Sequence, residues 1–274
     1  MKKISFTKMV ASGNDFIVVS SLAGCCGSSL PAGCCKSSWG KIARQLCDRR
    51  FGIGADGLLV LDKAGATDVK MRIFNPDGSE AEMCGNGARC TALYIGKKRS
   101  RIKTKAGIIE SEVKADKVKI KLSDPKDTLL DIPIKINGRP LKVNYINTGV
   151  PQAVIFVEGL DRIDVAGIGR PIRFHRRFAP RGTNVNFLEI LNSDSVKIRT
   201  YERGVEEETL ACGTGSVASA LIFALKTGTN GRLKVHTTSR EILTVYFRRC
   251  GNKFSDVWLE GKARMVYKGA YYYV

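Results

Sequence analysis

Two stretches of this chain read as copies of one another, and such a repeat restricts the possible folds more than any single composition figure. Lys70-Met71-Arg72-Ile73-Phe74-Asn75 runs through a Gly- and Glu-containing turn to Met83-Cys84-Gly85-Asn86-Gly87 and then an apolar stretch. Lys197-Ile198-Arg199-Thr200-Tyr201-Glu202 runs through a similar turn to Ala211-Cys212-Gly213-Thr214-Gly215 and another apolar stretch. Cys84 follows Asn75 by nine residues, and Cys212 follows Glu202 by ten. Upstream of each copy a strand-like run stops at a glycine turn. The first stops at Ser12-Gly13-Asn14 and resumes with Phe16-Ile17-Val18-Val19; the second stops at Thr148-Gly149-Val150-Pro151 and resumes with Ala153-Val154-Ile155-Phe156-Val157. Four features in the same order imply two halves of one architecture.

Within these halves short runs with period-2 alternation dominate, as in Val118-Lys119-Ile120-Lys121-Leu122, which marks half-buried antiparallel strands. Strands are expected over 3–9, 16–20, 57–61, 70–74, 113–121, 153–157, 185–191, 196–201, 243–248 and 256–260. Helices are fewer, expected over 39–48, 88–97 and 216–226. The turn cluster Ser123-Asp124-Pro125-Lys126-Asp127 is the candidate linker.

Each copy delivers strand, turn, Cys-Gly-x-Gly and helix, so each cysteine is expected at or just before a helix N-terminus. Unsatisfied N–H groups and the helix dipole there stabilise a thiolate, which predicts a lowered thiol pKa. The adjacent glycines let backbone N–H groups approach an anion such as a carboxylate. Two halves meeting at a cleft would set two thiols across one substrate. That is the geometry of a two-base proton exchange, in which one thiolate removes a proton from a stereocentre and the opposing thiol returns one to the other face. No cofactor is required by this scheme, no HExxH or His-rich metal spacing is present, and the paired cysteines Cys25-Cys26 and Cys34-Cys35 read as part of a flexible insertion in preference to a thiolate metal clip.

Composition fits a soluble protein of a reducing cytoplasm. The 274 residues suit one large or two ordinary domains, and 43% hydrophobic with 26% charged residues is an ordinary globular balance. Nine cysteines in no disulfide-scaffold pattern point to a reducing compartment. Cys47, Cys90 and Cys250 read as buried or partly buried packing residues. The Cys25-Cys26 and Cys34-Cys35 pairs lie in a Gly/Ser-rich insertion, 23–38. His175 and His236, the two histidines, read as structural or solvated. Thr209–Leu225 is uncharged but falls short of the ~20 apolar residues a membrane helix needs.

At the repeated residues the chain resembles the diaminopimelate epimerase family, cofactor-independent cysteine racemases that interconvert LL- and meso-2,6-diaminopimelate in lysine and cell-wall biosynthesis. The blocks ASGNDFIVV, CDRRFGIGADGLL, RIFNPDGSEAEMCGNGARC, FAPRGTNVNF and RTYERGVEEETLACGTGS arrive in family order across nearly the whole chain. The resemblance implies an α/β (α+β) fold of two pseudo-symmetric halves. Each would be a curved, mixed, mostly antiparallel sheet wrapped around a central helix, with the active site in the cleft between them. With the C-terminal strand returning to the first half, the halves are expected over 1–124 plus 262–274, carrying Cys84, and over 125–261, carrying Cys212. The resemblance further implies that Cys84 and Cys212 are the acid/base pair and that N–H groups of Gly85, Asn86, Gly213 and Thr214 hold the reacting carboxylate. Asn14, Asn75, Asn184, Glu202 and Arg203 would recognise the amino and carboxylate groups, tasks that suit a bidentate Arg and amide or carboxylate oxygens. It implies a homodimer acting on a small molecule, with no membrane or nucleic-acid partner.

One departure from the family pattern matters: Gln152 stands where a histidine is usual after the Thr148–Pro151 turn, while Val150 and Gly57, where some members carry Asn and Gln, read as ordinary family variation. Glutamine donates and accepts hydrogen bonds but takes no proton at neutral pH. That substitution keeps open a two-cysteine racemase of another amino acid. The net charge, 45 − 26 = +19, raises a nucleic-acid-binding module as a reading from another class. Its basic clusters, such as Lys97-Lys98-Arg99 and His175-Arg176-Arg177, are scattered and lack interleaved aromatics, so a solvated surface accounts for them.

Overall fold

A computed structural model describes residues 2–22 and 39–273; the Cys/Gly/Ser-rich insertion lies outside the described residues. The chain divides into two compact units, one of Met1–Ile120 with Gly261–Val274 and one of Lys121–Glu260.

The first unit holds strands β1 (Lys2–Ala11), β2 (Asn14–Ser20), β3 (Gly57–Asp62), β4 (Val69–Phe74), β5 (Glu80–Ala81), β6 (Arg99–Thr104), β7 (Gly107–Lys114) and β8 (Lys117–Lys121), together with helices α1 (Trp39–Cys47) and α2 (Gly85–Ile95). The second holds β9 (Lys126–Ile136), β10 (Arg139–Asn147), β11 (Pro151–Phe156), β12 (Asn184–Asn192), β13 (Ser195–Glu202), β14 (Glu207–Thr209), β15 (Gly231–His236), β16 (Ile242–Cys250) and β17 (Lys253–Lys262), with α3 (Val165–Arg173) and α4 (Gly213–Thr227). The last strand, β18 (Arg264–Tyr273), pairs antiparallel with β1.

Strand for strand, the two units repeat one pairing scheme. In the first, β18, β1 and β2 are successively antiparallel, β2 and β3 are parallel, β3 and β4 antiparallel, β4 and β6 parallel, and β6, β7 and β8 antiparallel. In the second, β9, β10 and β11 are antiparallel, β11 and β12 parallel, β12 and β13 antiparallel, β13 and β15 parallel, and β15, β16 and β17 antiparallel. Each sheet is therefore mixed and mostly antiparallel. The helices fall at matching places: α1 and α3 form the crossover of the first parallel pair, and α2 and α4 that of the second.

Parallel pairs need a crossover that covers a face of the sheet, which buries their strands on both sides. Gly57-Leu58-Leu59-Val60-Leu61 is accordingly buried throughout. One face of β1, β2 and β3 packs on α1 through Ile4, Phe6, Ile17, Val19, Trp39, Ile42, Leu46, Cys47, Leu58 and Val60. The helix α2 meets β1, β2, β3, β4, β6, β7 and β18, so the curved sheet wraps around it. In the second unit Ile155, Val165, Ile172, Val185, Phe187 and Tyr201 join α3 to its sheet, while α4 meets β10, β11, β12, β13, β15 and β16. Ten residues of α4 are buried, from Gly215 to Ala224, which is why that stretch reads as apolar all round.

Three expectations need correction. The run 113–121 is two strands rather than one, because Ala115 takes a left-handed backbone (φ 54°) and closes the β7–β8 hairpin. The helices over 88–97 and 216–226 begin three residues earlier, the Gly-x-Gly segments being their first turns. Cys250 is exposed at the end of β16, whereas Cys47 and Cys90 are buried.

Candidate active site

Cys84 and Cys212 are the N-cap residues of α2 and α4, both with extended backbone (φ −141°, ψ 123° and φ −109°, ψ 111°). Their carbonyls accept the first intrahelical bonds, from Ala88 at 2.8 Å and Ser216 at 2.9 Å. The N–H groups of the first turn consequently have no partner further back in their own helix. Gly85 and, in the second unit, Gly213 and Thr214 are half-buried, so these donors sit at the surface of their helix ends.

In the first unit Asn14, at the head of β2, lies beside the first turn of α2. Its Oδ1 accepts from the Asn86 amide, and its Nδ2 donates to Asp56 Oδ2 at 3.1 Å. Asp56 belongs to an ionic chain in which Arg49 bridges Asp15 and Asp56 at 2.8 Å each, and Lys8 pairs Asp15 at 2.8 Å. Burial alone would raise the Asp15 carboxyl, but Arg49 and Lys8 more than offset it and hold it at about 2. Arg89, wholly buried, donates to Asn86 Oδ1 at 2.7 Å and Ser12 Oγ at 2.6 Å, bracing the same turn. Asn75 stands apart on the exposed turn after β4, its amide donating to Ser79 Oγ at 2.9 Å.

In the second unit the expected residues Gln152, Asn184, Glu202 and Arg203 lie on or just beyond β11, β12 and β13. Gln152 pairs in register with Asn184 across β11 and β12, and Asn184 Oδ1 accepts from the Arg203 N–H at 2.7 Å. The Arg203 guanidinium reaches the Arg181 carbonyl at 3.3 Å. Glu202 accepts from Thr209 Oγ1 at 2.9 Å, and burial raises its carboxyl pKa. The Cys212 Sγ accepts from the Gly215 N–H at 3.4 Å and lies 3.5 Å from Thr214 Oγ1.

The expectation that the helix N-terminus lowers the thiol pKa fails for Cys212. Its thiol, 5% exposed, is pushed up to about 12, first by burial and then by the Glu202 carboxylate. Hydrogen bonds from Thr214, Gly215 and Gln152 oppose the rise without cancelling it. Desolvation of an anion in a closed site outweighs half a unit charge at a helix end.

Residues that sequence reasoning did not single out complete the arrangement. Asn186 and Thr200 lie wholly buried beneath α4 and bond to Gln152 and to each other, and Thr148 Oγ1 donates to the Thr214 carbonyl at 3.1 Å. Asn186 is a polar residue at a fully buried strand position, the available signal. His175, by contrast, caps a short 3₁₀ turn, its Nδ1 accepting from Arg177 N–H at 3.1 Å.

The doubled sheet-and-helix fold, with a cysteine at the N-terminus of the central helix in each unit, is shared in its architecture by solved structures of other proteins. A PhzF-family phenazine biosynthesis protein from Bacillus anthracis shares the fold, with a TM-score of 0.75 at 18% identity over the whole of both chains. Among sequences, the diaminopimelate epimerase family model matches residues 6–126 and 144–266. The diaminopimelate epimerase of Methanocella arvoryzae is 40% identical, with 98% of this chain and 97% of the relative covered. That of Aquifex aeolicus is 39% identical, with 97% of each covered. The chain belongs to the diaminopimelate epimerase family, and it is an isomerase of the amino acid epimerase type.

Proposed function

We propose that this protein converts LL-2,6-diaminopimelate to the meso isomer by a two-base mechanism carried by Cys84 and Cys212. The observation behind this reading is that each repeat ends in a cysteine N-capping its central helix, in a chain of this family. One thiolate takes the α-proton, and the other thiol delivers its proton to the opposite face of the planar carbanion, so protons balance over a turnover. Cys212, with its pKa well above neutrality, rests as the proton donor, which leaves Cys84 as the initial base. After turnover the roles are exchanged, as an epimerase working in both directions requires.

An amino acid α-proton is far too weakly acidic for a thiolate alone. The N–H groups of Gly85, Asn86, Gly213 and Thr214 would hold the substrate carboxylate and stabilise charge as it spreads into it, each such donor being worth about 3 kcal/mol. Asn14, Asn75, Asn184, Glu202 and Arg203 would recognise the ammonium and carboxylate groups. The scheme uses side chains and helix ends and calls on no cofactor. The protein would work as a homodimer in the reducing cytoplasm, which keeps the two thiols reduced. Among the described residues no helix is long and apolar enough to cross a membrane.

Gln152 in place of the family's histidine favours a second reading, a racemase of another amino acid with the same two thiols. Chiral chromatography after incubation with LL-diaminopimelate and, separately, with a panel of free amino acids distinguishes them. Turnover of LL-diaminopimelate to the meso form is expected; turnover of another amino acid with none of diaminopimelate would overturn the substrate assignment.

A further inference from the structure

The repeat permits a position-by-position comparison of what lies beneath the two cysteines. Counting from the shared turn glycines Gly13 and Gly149, Phe16 matches Gln152. The strand registers agree: Phe16 faces Gly57 where Gln152 faces Asn184, and Leu59 faces Ile73 where Asn186 faces Thr200. The helix glycines read the same layer. A Cβ on Gly87 would meet Leu59 Cδ2 at 3.0 Å and Ile73 Cδ1 at 3.5 Å, whereas one on Gly215 would meet Asn186 Oδ1 at 2.2 Å. Three apolar side chains in one half are thus replaced by two amides and a hydroxyl in the other.

These three polar groups form a directed chain. Asn186 Nδ2 donates to the Ala153 main-chain carbonyl at 3.0 Å, and a carbonyl can only accept, so that atom is fixed as the nitrogen. Its second hydrogen goes to Gln152 Oε1 at 2.9 Å, while Asn186 Oδ1 accepts from Thr200 Oγ1 at 2.9 Å. With Oε1 so engaged, the Gln152 NH2 must point the other way. There it donates to Thr214 Oγ1 at 2.9 Å, and that hydroxyl, its oxygen so engaged, lies 3.5 Å from the Cys212 sulfur with its hydrogen free to point there. A buried glutamine left to itself could turn its carbonyl to the hydroxyl, drawing that hydrogen away from the sulfur.

We propose that Asn186 is a positioning residue for the Cys212 thiol: anchored on the Ala153 carbonyl, it orients the Gln152 amide onto Thr214 Oγ1, so that the uncharged Thr214 hydroxyl presents its hydrogen to the sulfur. The layer beneath Cys212 is polar where the matching layer beneath α2 is apolar. A glutamine can do here what an imidazolium would do only at low pH, provided that its orientation is enforced. The titratable group facing Cys212 from β13 is Glu202, which is the same in every variant below.

The test is the rate of iodoacetamide alkylation at Cys212 in the intact protein without substrate, followed by peptide mass spectrometry with Cys84 as internal reference. Asn186→Leu installs the side chain of the other half. Losing the oriented donor is expected to slow Cys212 alkylation about tenfold relative to Cys84 at fixed pH, equivalent to a rise of about one unit in thiol pKa. A purely structural role predicts the opposite sign, since a loosened first turn exposes the sulfur and speeds alkylation. A ratio that rises or stays unchanged overturns the proposal. Should Asn186→Leu fail to fold, Asn186→Asp keeps the shape and removes both donors; the same slowing is expected and the same outcomes overturn it. The catalytic significance rests on the proposed role of Cys212 as proton donor, but the alkylation ratio is read without turnover, so the two can fail separately.

Discussion

Beneath the first turn of α2 lie a leucine and an isoleucine; beneath that of α4 lie an asparagine and a threonine, at the same points of the same sheet pattern. Duplication alone would yield two equivalent thiols. The supporting strands have diverged, so the two cysteines rest on different side chains at matching points of the sheet. The first unit braces its helix end with charge, through Arg89 and the Lys8–Asp15–Arg49–Asp56 chain. The second uses neutral amides and hydroxyls.

The largest expected effect bears on what the halves share. Cys84→Ala and Cys212→Ala should each lower epimerisation by on the order of a thousandfold or more while leaving the circular dichroism spectrum unchanged. If one variant retained near-normal rates, the halves would not be partners in one reaction.

Stability should separate the halves next. Gly215→Ala forces a Cβ into Asn186 Oδ1 at 2.2 Å, in a layer held by hydrogen bonds, and should cost about 3 kcal/mol by denaturant titration. Gly87→Ala meets the flexible end of Leu59 at 3.0 Å and gains helix propensity, so its net change should stay within about 1 kcal/mol. Similar costs at both glycines would contradict the difference drawn between them.

Acid should act on the first unit before the second. Asp15 and Glu80 are both held at about 2, Glu80 chiefly by its paired hydrogen bonds with Arg72. Their folded values lie below the ordinary 3.8 and 4.5, so the stabilisation is complete above about pH 4.5 and is lost as pH falls toward 2. Asp15 contributes about 2 kcal/mol and Glu80 about 3 kcal/mol. Hydrogen exchange at decreasing pH should show protection lost first in residues 2–120; simultaneous loss in both units would dismiss this asymmetry. Thr200→Val strips one hydrogen bond from Asn186 Oδ1 and should cost about 1 kcal/mol by denaturant titration.

Much of this was legible in the residues. The alternation of Val118, Ile120 and Leu122 is the burial pattern observed, and Cys-Gly-x-Gly after a strand places each cysteine at a helix cap. What escaped depended on contacts distant in sequence. Helix α3 contains Gly167, Gly169 and Pro171, all poor helix formers, yet Asp164 caps it by accepting from Gly167 N–H at 2.9 Å, and Gly169 is needed because a Cβ would lie 2.7 Å from Tyr201 Cβ. The Cys212 pKa escaped for a related reason: a motif reveals the helix end, but burial and Glu202 become visible only once the strands are paired. Asn186 looked like one more polar residue in a strand until its neighbours were known.

The central claim, two thiols acting from opposite faces, is tested most directly by isotope partitioning. LL-diaminopimelate is incubated with the protein in D2O, and the deuterium at the α-carbon is measured separately in product and remaining substrate during the first few per cent of conversion. The two-base account predicts that meso product carries solvent deuterium while recovered LL substrate is almost unlabelled, because the base that removed the proton is not the acid that returns one. Equal early labelling of substrate and product would contradict it, since that is the signature of a single group serving both faces.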